Sequence, residues 1–109
     1  EAVDDAYRSL KSGQLQTNTT IDTIADGLRT NLGKKTFDIL HRELDDLFLV
    51  SETEIRQAMR LIWERMKIII EPSCAVPLAA ILKHPEVFAG KRVGVILTGG
   101  NVDLDQLPF

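Results

Sequence analysis

The sequence predicts an α/β domain in which few, mostly parallel strands are flanked by helices. Three observations carry that expectation. Val93–Leu97 is a short, β-branched, almost wholly apolar run, the composition of a strand covered on both faces. Leu47–Val50 is a second continuous apolar run. Helical periodicity fills the segments between them, opened at Ser51-Glu52-Thr53-Glu54 by a capping box.

The elements follow in order. Asp4–Leu10 reads as a short helix stopped by Gly13. Gln14–Thr23 is polar, rich in Thr and Asn, and reads as a surface loop; Thr23–Gly27 is a compact turn. Lys35–Leu44 places Phe37, Leu40 and Leu44 at helical spacing, and Asp45-Asp46 punctuate before the Leu47–Val50 strand. Ile55, Met59, Ile62, Met66 and Ile69 then follow at helical spacing, and Leu61, Trp63 and Ile68 widen the apolar face. A helix this apolar packs on two sides, one of them supplied by another subunit or by further polypeptide. Glu71-Pro72 ends it. Ser73–Lys83 is the next helix, with Ala75, Ala79 and Ala80 suited to close packing on a sheet and Pro77 tolerable only near its start. His84-Pro85 breaks the chain before Val93–Leu97. Two strands are few for a self-contained α/β sheet, which points to a piece of a larger one.

Residues 1–109 suffice for one domain with one core. The net charge of −3, with both signs spread along the chain, leaves no nucleic-acid footprint. No apolar run approaches the roughly 18 residues of a membrane span, so no membrane partner is expected. The acidic opening Glu1–Asp5 lacks the apolar core of a signal peptide. A single cysteine excludes an internal disulfide and fits a reducing cytoplasm.

The sharpest candidate site is the turn Thr98-Gly99-Gly100-Asn101. It follows the apolar run, where ligands sit in open α/β sheets. Two glycines let backbone N–H groups approach an anion or a planar ring. Thr98 adds a hydroxyl and Asn101 an amide, although such a turn also serves as a plain connection. Glu71, at an element boundary, faces either a site or water. Asp4 and Asp5 match a helix N-terminal charge, and two neighbours alone do not supply the oxygen shell of a hard cation. Cys74 reads as small buried filler, and His41 and His84 as surface residues without metal-ligand spacing. Lys67 and Arg65 read as solvated charges near a helix end. Ser9-Leu10-Lys11-Ser12-Gly13 is not a Schiff-base lysine motif, because the arginine expected after it is missing.

Several segments taken together resemble a known family. Asp4-Asp5-Ala6-Tyr7, Thr23-Ile24-Ala25-Asp26-Gly27, Asp45–Ser51, Ile70-Glu71-Pro72-Ser73 and Leu97–Asp103 occur in this order. They resemble the C-terminal part of the serine/threonine dehydratase and serine racemase family, pyridoxal-phosphate enzymes of fold type II. Trp63-Glu64-Arg65-Met66-Lys67 is similar to the eukaryotic-type serine racemases. The resemblance implies that residues 1–109 are the C-terminal portion of the large, cofactor-binding domain, the N-terminal catalytic portion lying outside this sequence.

The resemblance also implies roles. Thr98 matches a hydroxyl that hydrogen-bonds the pyridine nitrogen, which a neutral donor leaves unprotonated. Gly99, Gly100 and Asn101 match the floor under the ring, and Glu71 an acid beside it. Asp26 and Gly27 match a segment bordering the substrate. Asp5, and Val3 through its backbone carbonyl, match ligands of a divalent cation, Mg²⁺ or Ca²⁺. Lys67 matches a nucleotide-contacting lysine. Ser73-Cys74-Ala75-Val76-Pro77 departs from the family pattern, with Pro77 in place of a usual small residue. No catalytic residue falls in this chain, since the Schiff-base lysine belongs to the N-terminal portion. The implied parent is a lyase or isomerase of small hydroxy-amino acids, a homodimer. It dehydrates serine or threonine to an oxo acid and ammonia, or racemises serine, and the 109 residues alone are inactive. The alternative is a non-catalytic module that dimerises through the Ile55–Ile69 face.

Overall fold

The computed structural model describes residues 1–109. Its elements are α1 (Asp5–Ser12), a 3-10 turn (Asp26–Leu28), α2 (Lys34–Glu43), α3 (Glu52–Met66), α4 (Pro72–Lys83) and α5 (Pro85–Phe88). Gly13 ends α1 in the left-handed conformation at φ 72°. The capping box opens α3 as expected: Ser51 N–H donates to Glu54 Oε2 at 2.7 Å, and Glu54 N–H to Ser51 Oγ at 3.3 Å.

The α/β expectation is overturned, for no strand and no sheet forms. A strand exists only where its N–H and C=O groups meet those of a neighbour. Leu47–Val50 and Val93–Leu97 lie outside every helix, without such a neighbour. The Leu49 carbonyl accepts instead from Lys83 Nζ at 3.0 Å. Nor is the second stretch covered: Val93 is 44% exposed and Ile96 79%. Apolar, β-branched composition reports a preference for extended backbone, and pairing is a separate, long-range requirement.

The helical expectations hold more closely. Two ends differ. α3 stops at Met66, because Lys67 takes a left-handed φ of 59° and redirects the chain; Ile69 falls outside the helix and is exposed. Pro77 lies inside α4 rather than at its start. It cannot donate to the Ser73 carbonyl four residues earlier.

The core is the seam of α3 and α4. Ile55, Ala58, Met59 and Ile62 form the buried stripe of α3, against Cys74, Ala75 and Ala79 of α4. The small residues of α4 therefore serve close approach to a helix, not to a sheet. Ala25, Val50 and Ile70 complete the cluster from connecting segments. Trp63 stays half-buried, its indole N–H donating to the Ile70 carbonyl at 3.0 Å.

Two ion pairs fasten the periphery of this seam. Lys83 Nζ lies 2.8 Å from Glu1 Oε1 and 3.0 Å from Glu54 Oε2. The bond to the Glu1 carboxylate, then that to Glu54, holds the Lys83 ammonium above its ordinary value. The Ser51 backbone N–H, seconded by Lys83, holds the Glu54 carboxyl below its own. No helix is long and apolar enough to cross a membrane.

Candidate functional site

Three separated segments meet at the first turn of α4. Glu71 is the N-cap residue of that helix, and Pro72, with no N–H to lose, is favoured just inside the start. The Glu71 side chain does not cap the helix; it turns to the 98–101 loop. Its Oε2 accepts the Asn101 N–H at 3.0 Å, and its own N–H donates to the Gly99 carbonyl at 3.1 Å. The loop is thus gripped at two points by one residue.

The glycines answer to that proximity. A Cβ on Gly99 would meet both Glu71 carboxylate oxygens at 3.1 Å. A Cβ on Gly100 would stand 2.6 Å from the Ile69 carbonyl oxygen, a distance no side chain tolerates. Thr98 is exposed, so its hydroxyl is not sealed in the core, while its backbone N–H donates to Cys74 Sγ at 3.2 Å. Cys74 itself is 1% exposed. It is buried filler, as its surroundings in the sequence suggest, and it also tethers the loop.

The Asp26–Gly27 turn reaches the same helix end from the other direction. Gly27 N–H donates to Ser73 Oγ at 3.0 Å and lies 2.9 Å from Asp26 Oδ1. The base of this turn is held by Glu52, at the start of α3. Glu52 Oε1 accepts from Thr23 Oγ1 at 2.6 Å, and Oε2 from the Ile24 N–H at 2.8 Å. The Arg29 guanidinium donates to the Thr23 carbonyl at 3.0 and 2.7 Å.

The structure therefore brings together Thr98, Gly99, Gly100, Asn101, Glu71, Asp26 and Gly27 around α4. Their donor set suits the edge of a heteroaromatic ring: an exposed hydroxyl at Thr98 and an exposed amide at Asn101. Ser73 and Cys74 belong to the cluster and are not legible as members from the sequence, where one sees only a serine after a proline and a lone thiol. The Glu-Pro-Ser string at a helix start was the available signal.

The remaining candidates lie apart. Asp5 is buried in α1, where its Oδ2 accepts the Leu32 N–H at 2.6 Å. It lines, with Val3, a cleft of about 460 Å³ that also touches Thr23, Val50 and Glu52 and does not include residues 98–101. No group of three or more His, Cys, Asp or Glu residues is placed to hold a metal ion. Lys67 caps α3, its N–H donating to the Trp63 carbonyl at 3.2 Å. His41 is exposed, and His84 is half-buried against Phe48 and bonded to Glu86 at 3.0 Å.

Known proteins share this sequence and this shape. A β-hydroxyaspartate dehydratase of Paracoccus denitrificans is 52% identical over 109 residues, covering all of this chain and 35% of that protein. A serine racemase of Dictyostelium discoideum is 54% identical over 108 residues, covering 95% of this chain and 33% of the racemase. The solved structure of maize serine racemase superposes with a TM-score of 0.89 at 36% identity, over 96% of this chain and 33% of that one. The chain thus spans about a third of the length of the curated relatives it matches. Residues 1–99 match the pyridoxal-phosphate dependent enzymes as a family. With nearly its whole length inside that match, the chain belongs to the pyridoxal-phosphate dependent enzyme family.

Proposed function

We propose that these residues form the C-terminal portion of the large, cofactor-binding domain of a lyase or isomerase acting on small hydroxy-amino acids. The observation that carries this is the Thr98–Asn101 loop, clamped by Glu71 with Thr98 left exposed. Pyridoxal phosphate, when bound, accepts the electrons released at the substrate α-carbon. The Thr98 hydroxyl would donate a hydrogen bond to the pyridine nitrogen and leave that nitrogen unprotonated. A carboxylate there would hold it protonated and deepen the electron sink. Gly99 and Gly100, lacking a Cβ, let the loop close on the Glu71 carboxylate and the Ile69 carbonyl, and that packing would hold Thr98 at the ring edge. Glu71 keeps the loop in place, and Asp26 and Gly27 border the amino acid.

In a dehydratase the α-proton and the β-hydroxyl leave as water. The released enamine then takes up one water and yields an oxo acid and ammonia. In a racemase the α-proton returns to the opposite face. Names of relatives point to serine and β-hydroxyaspartate as the substrates to test first. Asp5 and the Val3 carbonyl would supply two oxygen ligands to a divalent cation, Mg²⁺ or Ca²⁺. They fit only part of its shell, which takes about six oxygens; the rest come from polypeptide beyond these residues. Lys67 contributes to a nucleotide contact. The parent enzyme is a cytoplasmic homodimer.

The test is product analysis on the full-length protein loaded with pyridoxal phosphate. L-serine, L-threonine and β-hydroxyaspartate are supplied in turn, and oxo acid, ammonia and D-serine are measured. Oxo acid with equimolar ammonia, or D-serine, supports the reading. No turnover of any of the three refutes it.

A further inference from the structure

Ser73 stands outside both loops and is bonded to one of them, from a helix end whose other residues grip the second. Its hydroxyl accepts the Gly27 N–H at 3.0 Å and lies 3.4 Å from Asp26 Oδ1, toward which it donates. Glu71 and Cys74, at the same helix end, hold the other loop: Glu71 grips Gly99 and Asn101, and Cys74 takes the Thr98 N–H. The approach is close, since a Cβ on Gly27 would meet Ser73 Oγ at 3.0 Å and Ser73 Cβ at 3.3 Å. Glu52 fixes the turn at Thr23 and Ile24, which leaves its Asp26–Gly27 end to be fixed by α4.

We propose that Ser73 is a positioning residue, whose hydroxyl sets the Asp26–Gly27 turn at a fixed distance from the Thr98–Asn101 loop. The proposal rests on the reading that this turn borders the substrate. With the hydroxyl present, Asp26 Oδ1 is committed to the Gly27 N–H and to Ser73, so the carboxylate is held in one orientation. Without it, only the Gly27 N–H bond to Asp26 Oδ1 remains, and the turn and its carboxylate lose their tie to α4. Binding of the amino acid weakens, while the ring site, held by Glu71 and Cys74, is untouched.

The experiment uses the full-length, cofactor-loaded enzyme with Ser73→Ala, Ser73→Thr and Asp26→Asn, assayed on the hydroxy-amino acid that the wild type turns over. Ser73→Ala is expected to raise KM about five-fold, the loss of a net hydrogen bond. Its kcat stays within about two-fold and its pyridoxal phosphate affinity and visible absorbance do not change. Ser73→Thr keeps the hydroxyl and returns KM toward the wild type. If Ser73→Ala does not fold, Ser73→Cys, a poorer acceptor of similar size, is read in the same way. An unchanged KM in the serine variants beside a raised KM in Asp26→Asn overturns the role of Ser73 and leaves the turn at the substrate. Unchanged KM in all of them overturns the reading of the turn itself. A loss of cofactor affinity in parallel with the rise in KM marks a general structural defect and also overturns the proposal.

Discussion

Gly100 has no room for a methyl group, and the atom in the way is a backbone oxygen that cannot turn aside. At Gly99 the obstacle is the end of the Glu71 side chain, which can give by a few tenths of an ångström. Gly100→Ala in the full-length enzyme is therefore expected to weaken pyridoxal phosphate binding about ten-fold or more, from roughly 1–3 kcal/mol of overpacking. Gly99→Ala should cost less. Absorbance titration of the two apoenzymes gives the order, and a Gly99→Ala more damaging than Gly100→Ala would contradict the packing described. These two positions were legible in the sequence, because a glycine pair after an apolar run is a local signal. Ser73 and Cys74 were not, since their partners Gly27 and Thr98 lie 46 and 24 residues away. A hydroxyl or a thiol acquires such a role only from the fold that brings the partner to it.

The first turn of α3 is where local sequence and tertiary structure agree most fully. Ser51 and Glu54 satisfy each other's backbone donors, so Ser51→Ala should cost about 1 kcal/mol in chemical denaturation of the full-length protein. Glu54 also makes that stability depend on pH. Its folded value is held low, first by the Ser51 N–H and then by Lys83. Such a carboxyl stabilises the fold above its unfolded value, about 4.3, and the contribution is lost as pH falls through the lower folded value. Melting curves of the wild type and Glu54→Gln should differ at neutral pH and draw together as acid takes the pH below the ordinary carboxyl range; a gap that widens in acid would refute the assignment. The other end of α3 was not legible. Ile69 continues the apolar spacing, yet the left-handed Lys67 stops the helix and delivers Ile70, rather than Ile69, to the core. Periodicity shows which side chains could share a face, whereas a change of backbone direction at a residue other than glycine carries no comparable mark.

Across the molecule, the long helices were readable while the expected sheet does not form, for one reason. A helix closes its hydrogen bonds within a few residues, so spacing and capping suffice to announce it. Val93–Leu97 has the composition of a strand and, within these residues, no partner. Its side chains remain in water, Ile96 at 79% exposure. The 109-residue chain on its own should accordingly self-associate and bind a hydrophobic dye such as ANS, which sedimentation and fluorescence would register against the full-length protein. A monomeric, dye-silent fragment would show that the stretch needs no cover. The same fragment, incubated with pyridoxal phosphate and borohydride, should give no stoichiometric adduct on a single lysine, because a lysine poised at the aldehyde is required. A defined adduct would locate that function here after all.

Because Glu71, Ser73 and Cys74 all stand at the opening of α4, the two loops they fasten share a common mooring. Transplanting residues 98–101 alone between homologous enzymes would deliver a sling without its post. An exchange that carries the opening of α4 along with them would transfer the floor of the site and its border as one piece.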